Sequence, residues 1–149
     1  EGRTRARGTS AWVGLDLDSR RPRRADSFFA LPWDVLPAPA FADPLPALEP
    51  LAEAGAAETR TVRASDIDAL GHMNNLRYVD WVADHLDHHG AANCLRFVRI
   101  RHSREVVAGE AVRIRHEADG NGGVKVAMTG ADHGREVCLA RVEAGTVER

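Results

Sequence analysis

Between Asn74 and His88 lies one stretch with helical spacing, with Leu76, Val79, Val82, Ala83 and Leu86 recurring every three or four residues, and Gly90 ends it. Beyond Gly90 the chain reads as strand. Cys94 to His102, Ala111 to Ala118, Val124 to Thr129 and Glu136 to Val142 are separated by Ala108 and Gly109, by the glycine-rich run 119–123, and by Asp132, His133 and Gly134. Ahead of the helix, Arg60 to Arg63 reads as a short strand and Ser65 to Met73 as a loop. The strands alternate. Val112, Ile114 and His116 point one way against Arg113, Arg115 and Glu117, and Val124, Val126 and Met128 oppose Lys125, Ala127 and Thr129, so one face is buried. A single helix therefore has to cover a whole antiparallel sheet. The arrangement this demands is α+β, a curved antiparallel sheet wrapped around one central helix, with Leu76, Val79, Val82 and Leu86 facing the sheet. The uncovered edge or face is expected to meet a second copy.

The 149 residues, 44% hydrophobic and 28% charged, can bury a core of this kind, and disorder or a disulfide scaffold fits poorly. A net charge of -2 and a pI near 6.4 give nucleic acid binding no electrostatic support. Lys125 is the only lysine, and the remaining basic residues are arginines. No apolar run is long enough to span a bilayer, and the arginine-rich first 30 residues lack a signal-type apolar stretch, so a soluble cytoplasmic protein with no membrane partner is expected. Cys94 and Cys138 have no CxxC or Cys/His spacing and read as small buried apolar residues.

The front of the chain has a different texture. Thr9 to Leu17 reads as a strand that the run Arg20 to Arg24 ends. Pro32, Pro37, Pro39, Pro44, Pro46 and Pro50 make 31–56 an extended linker, with one short turn around Trp33 to Leu36.

Chemistry concentrates in the loop that enters the helix. Asp66, Asp68, His72, Asn74 and Asn75 gather two carboxylates, an imidazole and two amides where free backbone N–H groups and the helix dipole favour a developing oxyanion. A purely local reading stays open, with Asp66, Asp68 and Asn74 as turn and N-cap residues and His72 as a satisfied, partly buried side chain.

Asp66, Asp68, Gly71, His72, Asn74, Asn75, Tyr78 and Trp81 form the string DxDxxGHxNNxxYxxW. It resembles the signature of hotdog-fold thioesterases, and with Trp81 it is most similar to the C-terminal hotdog of acyl-ACP thioesterases. Arg7 to Val13, followed by Arg20, Arg21 and Pro22, resembles the last strand of that family's N-terminal hotdog. The resemblance covers nearly the whole chain. It implies a remnant of a preceding hotdog over 1–30, a linker over 31–56 and a hotdog thioesterase domain over 57–149, with most of a first hotdog lying ahead of Glu1.

The same resemblance implies the site. Asp68 occupies the place of the carboxylate shared by the acyl-ACP and 4-hydroxybenzoyl-CoA thioesterase branches, and His72 that of the motif histidine. Glu105, after Ser103 and Arg104, matches a glutamate of the plant enzymes. Gly71, Met73, Asn74, Asn75 and Tyr78 fall where substrate would be held. Two positions depart: Leu70 stands where the plant enzymes have an asparagine, and Val106 where they have a cysteine. The implied reaction is hydrolysis of an acyl-ACP thioester. Asp68 or Glu105 polarises water, His72 orients around the carbonyl, and backbone N–H groups near His72 to Asn74 hold the oxyanion. No cofactor and no metal are implied, and the expected partner is acyl carrier protein or a CoA thioester, with pairing to another hotdog or a second copy as a homodimer.

Two further clusters carry less. His85 and His89 are i, i+4 neighbours within Asp84, His85, Asp87, His88 and His89, a spacing that can chelate a metal, but without HExxH order a solvated helix end accounts for them. Arg96, Arg99, Arg101, Arg113 and Arg115 form a stripe that suits an acidic carrier or CoA phosphate, or equally an ordinary solvent face. The rival readings are an acyl-CoA thioesterase and a non-catalytic hotdog that binds acyl chains or completes a dimer.

Overall fold

The computed structural model describes residues 8–9, 14–16, 18–19, 21–23, 47–52, 57–92 and 94–145. Its chain divides into two units, Glu1–Ala47 and Leu48–Arg149. In the first, β1 (Gly14–Leu15) pairs antiparallel with β2 (Pro22–Arg23), and Asp16 closes the turn by accepting from the Ser19 backbone N–H at 2.9 Å. The arginine run therefore supplies a second strand instead of only ending the first, because Pro22 and Arg23 are exposed and charge costs little there. Positions 10–13 and 17 of the expected strand, and most of the expected linker with its turn at Trp33 to Leu36, lie outside the described residues.

The second unit holds β3 (Ala57–Thr61), α1 (Asn75–His88), β4 (Leu95–His102), β5 (Ala111–Ala118), β6 (Gly123–Gly130) and β7 (Glu136–Ala144). The five strands form one antiparallel sheet in the order β3, β5, β6, β7, β4, and the sheet is not closed. Ile114 pairs with Met128 and Glu58, Met128 with Cys138, and Cys138 with His102, so alternate residues of all five strands share one face. Against that face packs α1. Val112, Ile114, Val126, Met128, Cys138, Ala140 and Val142 join Tyr78, Trp81, Val82 and Leu86 in one core. The helix stops with Gly90 at φ +66°, where the Ala91 N–H donates to Leu86 O at 2.8 Å, the left-handed glycine end that a side chain would oppose.

The helix face differs from the expected stripe. Val82 and Leu86 are buried as expected and Val79 is half-buried, but Leu76 is 73% exposed. Tyr78, Trp81 and His85 take its place. At roughly 100° per residue these three and Val82 and Leu86 share one side, and Leu76 stands nearly opposite. His85 is fully buried, so the helix end is not simply solvated, although Asp84, Asp87, His88 and His89 are exposed. Cys94 is half-buried, while Cys138 is buried as expected.

The far face is not uniformly wet either. Arg101, Leu139, Ala127 and Arg115 form a cross-strand row whose two apolar members are buried between arginines. At its β5–β6 end, Lys125 lies 3.6 Å from Glu49 and the Ala52 N–H donates to Glu117 at 3.2 Å. No helix among the described residues is long and apolar enough to cross a membrane.

Candidate active site

The loop ahead of α1 is a miniature hairpin. Ile67 and Met73 face each other in an isolated antiparallel bridge. The Asp68 N–H donates to His72 O at 2.9 Å and the Asn74 N–H to Asp66 O at 2.8 Å. At its tip the Gly71 N–H donates to Asp68 O at 3.1 Å, with Gly71 at φ +84°, a conformation that disfavours any side chain. The carboxylate of Asp68 accepts the Leu70 N–H on Oδ1 at 2.8 Å, while Oδ2 has no protein partner among the described residues. One oxygen thus shapes the turn, and the other is not engaged in it.

The two motif carboxylates have separate roles. Asp66 is buried in the first turn of a short 3-10 helix, Ala64–Asp66, where its Oδ2 accepts the Arg63 N–H at 2.9 Å. It is a structural cap, in line with the local reading of the motif. Asn74 is the N-cap of α1 and accepts the Leu76 N–H at 2.9 Å.

This bonding narrows the oxyanion assignment. The Met73 N–H donates to Val106 O at 2.9 Å and the Asn74 N–H to Asp66 O, so neither amide is available for substrate. His72 and Asn75 keep unpaired backbone N–H groups among the described residues, and these two are the donors that remain at the helix entrance.

Glu105 reaches the hairpin from the loop after β4. His72 Nε2 and Glu105 Oε2 lie 3.3 Å apart, with the two side chains 38% and 68% exposed. The glutamate is exposed, but the loop that carries it is anchored at three neighbouring residues. Met73 binds Val106, Gly109 donates to Val62 O at 2.8 Å, and Ser103 donates to Val137 O at 2.9 Å. Arg104 pins the loop from within, pairing with Glu110, donating to Glu105 O at 3.0 Å and touching His133 Nε2 at 3.2 Å. Its guanidinium holds the Glu110 carboxyl below the ordinary glutamate range. The Arg104–Glu110–His133 group had no signal in the sequence except the adjacency of Arg104 to Glu105.

Of the remaining expected residues, Met73 and Tyr78 are buried in the core. Tyr78 stacks edge-on against His102 at 4.7 Å between ring centres, and burial pushes its phenol up to about 12. Val106 is fully buried, so the position where the plant enzymes have cysteine points into the core here. Burial likewise pushes the Cys138 thiol up to about 12, which removes it as a nucleophile at neutral pH. Leu70, at the hairpin tip, is 82% exposed.

Charge on the far face is largely paired: Arg101 with Glu136 at 2.9 Å, and Arg141 with Asp119 and Glu143 at 2.7 Å each. Arg113 is exposed and Arg99 lies over the Phe97 ring. A groove of about 620 Å³ beside β3 is lined by Arg60, Arg63, Asp66, Arg77, Asp80 and Asp84 among others, and this charged lining suits no acyl chain.

Comparisons with known proteins agree with the architecture. The 12:0-ACP thioesterase from Umbellularia californica superposes with a TM-score of 0.68 at 22% identity, over 87% of this chain and 52% of that one. An acyl-ACP thioesterase from Bacteroides thetaiotaomicron gives 0.59 at 18% identity with the same coverages. The probable thioesterase YbaW from Escherichia coli gives 0.52 at 18% identity, over 58% of this chain and 77% of that one. The fold is the hotdog, and the chain spans about half the length of the two acyl-ACP enzymes. No curated protein sequence matches significantly. The sequence profile of the acyl-ACP thioesterase C-terminal domain matches residues 50–143, from just ahead of β3 nearly to the end of β7, and the chain belongs to that family.

Proposed function

We propose that this chain is the hydrolytic half of a thioesterase that releases a fatty acid from acyl carrier protein in the cytoplasm. The observation that carries the reading is the meeting of His72 and Glu105 at 3.3 Å beside the hairpin that presents Asp68. His72 and Glu105, 33 residues apart in sequence, meet at the entrance of one helix on the hairpin that also carries Asp68, at the positions to which the family resemblance assigns its chemistry.

A thioester has a fair leaving group, so hydrolysis needs an activated water and a place for negative charge on the carbonyl oxygen. Asp68 Oδ2 accepts a proton from the attacking water as the water oxygen bonds to the carbonyl carbon. His72, held by Glu105, orients about the carbonyl, and the N–H groups of His72 and Asn75 receive the developing oxyanion. Collapse of the tetrahedral intermediate expels the thiolate, which takes the proton. Glu105 is the alternative base, and the two carboxylates are distinguished by substitution.

Substrate enclosure is the role we assign to a second hotdog, either the domain that the first 30 residues would complete or a second copy. The exposed Leu70, Leu76 and Val107 flank Asp68, Asn74 and Glu105 and supply apolar surface for such a partner. The test is thiol release from a panel of acyl-ACP and acyl-CoA substrates by the parent, Asp68→Asn and Glu105→Gln proteins. Turnover of acyl-ACP lost in Asp68→Asn supports the reading. Preference for acyl-CoA replaces the carrier, and absence of any turnover by the parent paired with a first hotdog overturns the enzyme.

A further inference from the structure

At the other end of α1, four side chains that the proposed reaction does not use meet between the helix and the sheet. His85 is fully buried, with Nδ1 2.8 Å from Glu58 Oε2 and Nε2 2.9 Å from His116 Nδ1. His89, one turn on, places Nε2 3.8 Å from the same Glu58 oxygen, and its ring centre is 4.5 Å from that of His85. We propose that Glu58, His85 and His89 form a binding site for a divalent transition metal, with zinc the best match.

The ligand atoms of these three residues all lie within 4.8 Å of one another. In a tetrahedral zinc site with bonds of about 2.0–2.2 Å, donor atoms stand about 3.3 Å apart. The 2.8 and 3.8 Å separations from Glu58 Oε2 bracket that spacing and the two imidazole donors lie no more than 4.8 Å apart, so side-chain adjustments of about 1.5 Å or less close the site. Two imidazoles and a carboxylate are a donor set that zinc favours. The remaining position opens toward solvent past His89, which is partly exposed.

His116 and Arg60 sharpen the geometry. If His85 Nε2–H donates to His116 Nδ1, the lone pair of His85 Nδ1 faces the Glu58 carboxylate, and a cation between them turns repulsion into coordination. This is the outer hydrogen bond that commonly fixes a ligating histidine. Arg60 pairs with Glu58 through Oε1, leaving Oε2 to the histidines. Because Glu58 belongs to β3, an edge strand, and both histidines to the end of α1, the metal would fasten the helix to the sheet far along the helix from His72.

The experiment is equilibrium dialysis of the full chain against zinc, with thermal melting in parallel. One zinc per chain at a Kd of about 1 µM or tighter is expected, with a raised melting temperature. His89→Ala, at a partly exposed position, should weaken binding at least about tenfold and abolish the thermal shift without unfolding the apo protein, and Glu58→Gln should act similarly. His72→Gln should leave binding unchanged. Binding weaker than about 1 mM, or binding that survives His89→Ala and Glu58→Gln, or binding that is lost in His72→Gln instead, overturns the proposal.

Discussion

Asp68→Asn separates chemistry from structure at the hairpin tip. The asparagine keeps an oxygen to accept the Leu70 N–H that Asp68 Oδ1 accepts at 2.8 Å, so the turn and the Asp68–His72 backbone bond persist. What weakens is one charge-assisted hydrogen bond at a partly exposed site, about 0.5–1 kcal/mol. In a folded unit of this size that shifts the melting temperature by roughly 8 °C at most. The amide cannot accept a proton from water at neutral pH, so loss of a general base should lower kcat about 10²- to 10⁴-fold. That corresponds to about 3–5.5 kcal/mol of barrier. Asp66→Ala provides the reverse pattern. It leaves the Arg63 N–H without the acceptor now at 2.9 Å in a partly buried turn and should cost about 0.5–1.5 kcal/mol of stability. Its effect on kcat per folded molecule should be smaller. Initial rates of thiol release and thermal melts on the same preparations read both quantities. If Asp68→Asn keeps near-parental turnover with an unchanged melt, the base is elsewhere, and a hotdog that only binds acyl chains becomes the better account.

Leu70→Asn places an amide where the plant enzymes carry one, at an exposed tip that packs against nothing in the core, so turnover should rise about ten- to a hundredfold with an unaltered melting curve. Leu86→Ala removes a fully buried side chain from the centre of the helix–sheet contact and should cost about 2–5 kcal/mol in a urea titration followed by circular dichroism. Acid sensitivity should depend on Glu110. Arg104 lowers its folded pKa below the unfolded value, so the pair's stabilisation is present above the unfolded glutamate pKa, about 4.3, and is lost as pH falls through the folded value. Melting temperatures recorded from pH 6 to pH 3 should fall less steeply in Glu110→Gln, and an identical slope would remove Arg104 as the clamp of the Glu105 loop.

The sheet was readable because its signals are local. Alternation such as Val112, Arg113, Ile114, Arg115 and the glycine run at 119–123 need no distant partner, and β5, β6 and β7 begin and end within two residues of where those signals place them. The helix face was harder. Counting aliphatic residues selects Leu76, yet the buried side is completed by Tyr78 and His85, polar-tipped residues that become core only through His102 and through Glu58 and His116. These partners are 24 to 31 residues away, and no window of helical length contains them. The same limit applied at the site. Asp68 and His72 share one motif, whereas the clamp on Glu105 depends on Arg104 finding Glu110 and His133 across a folded loop.

Backbone hydrogen bonding also limits where the oxyanion can form. A helix entrance offers several free N–H groups, and the sequence alone makes all of those from His72 to Asn74 equivalent candidates. Folding the hairpin against the Glu105 loop engages the Met73 N–H with Val106 and the Asn74 N–H with Asp66, and capping engages the Leu76 N–H with Asn74. The bonds that build the site therefore use most of the donors that the site would otherwise present. His72 and Asn75 remain, and they flank the two engaged amides. In the proposed site a carbonyl oxygen bound there would lie beside the imidazole that Glu105 contacts, next to the hairpin that carries Asp68. Leu70 adds no side-chain donor at that tip, so the proposed oxyanion site has only backbone amides where the plant enzymes also carry an asparagine.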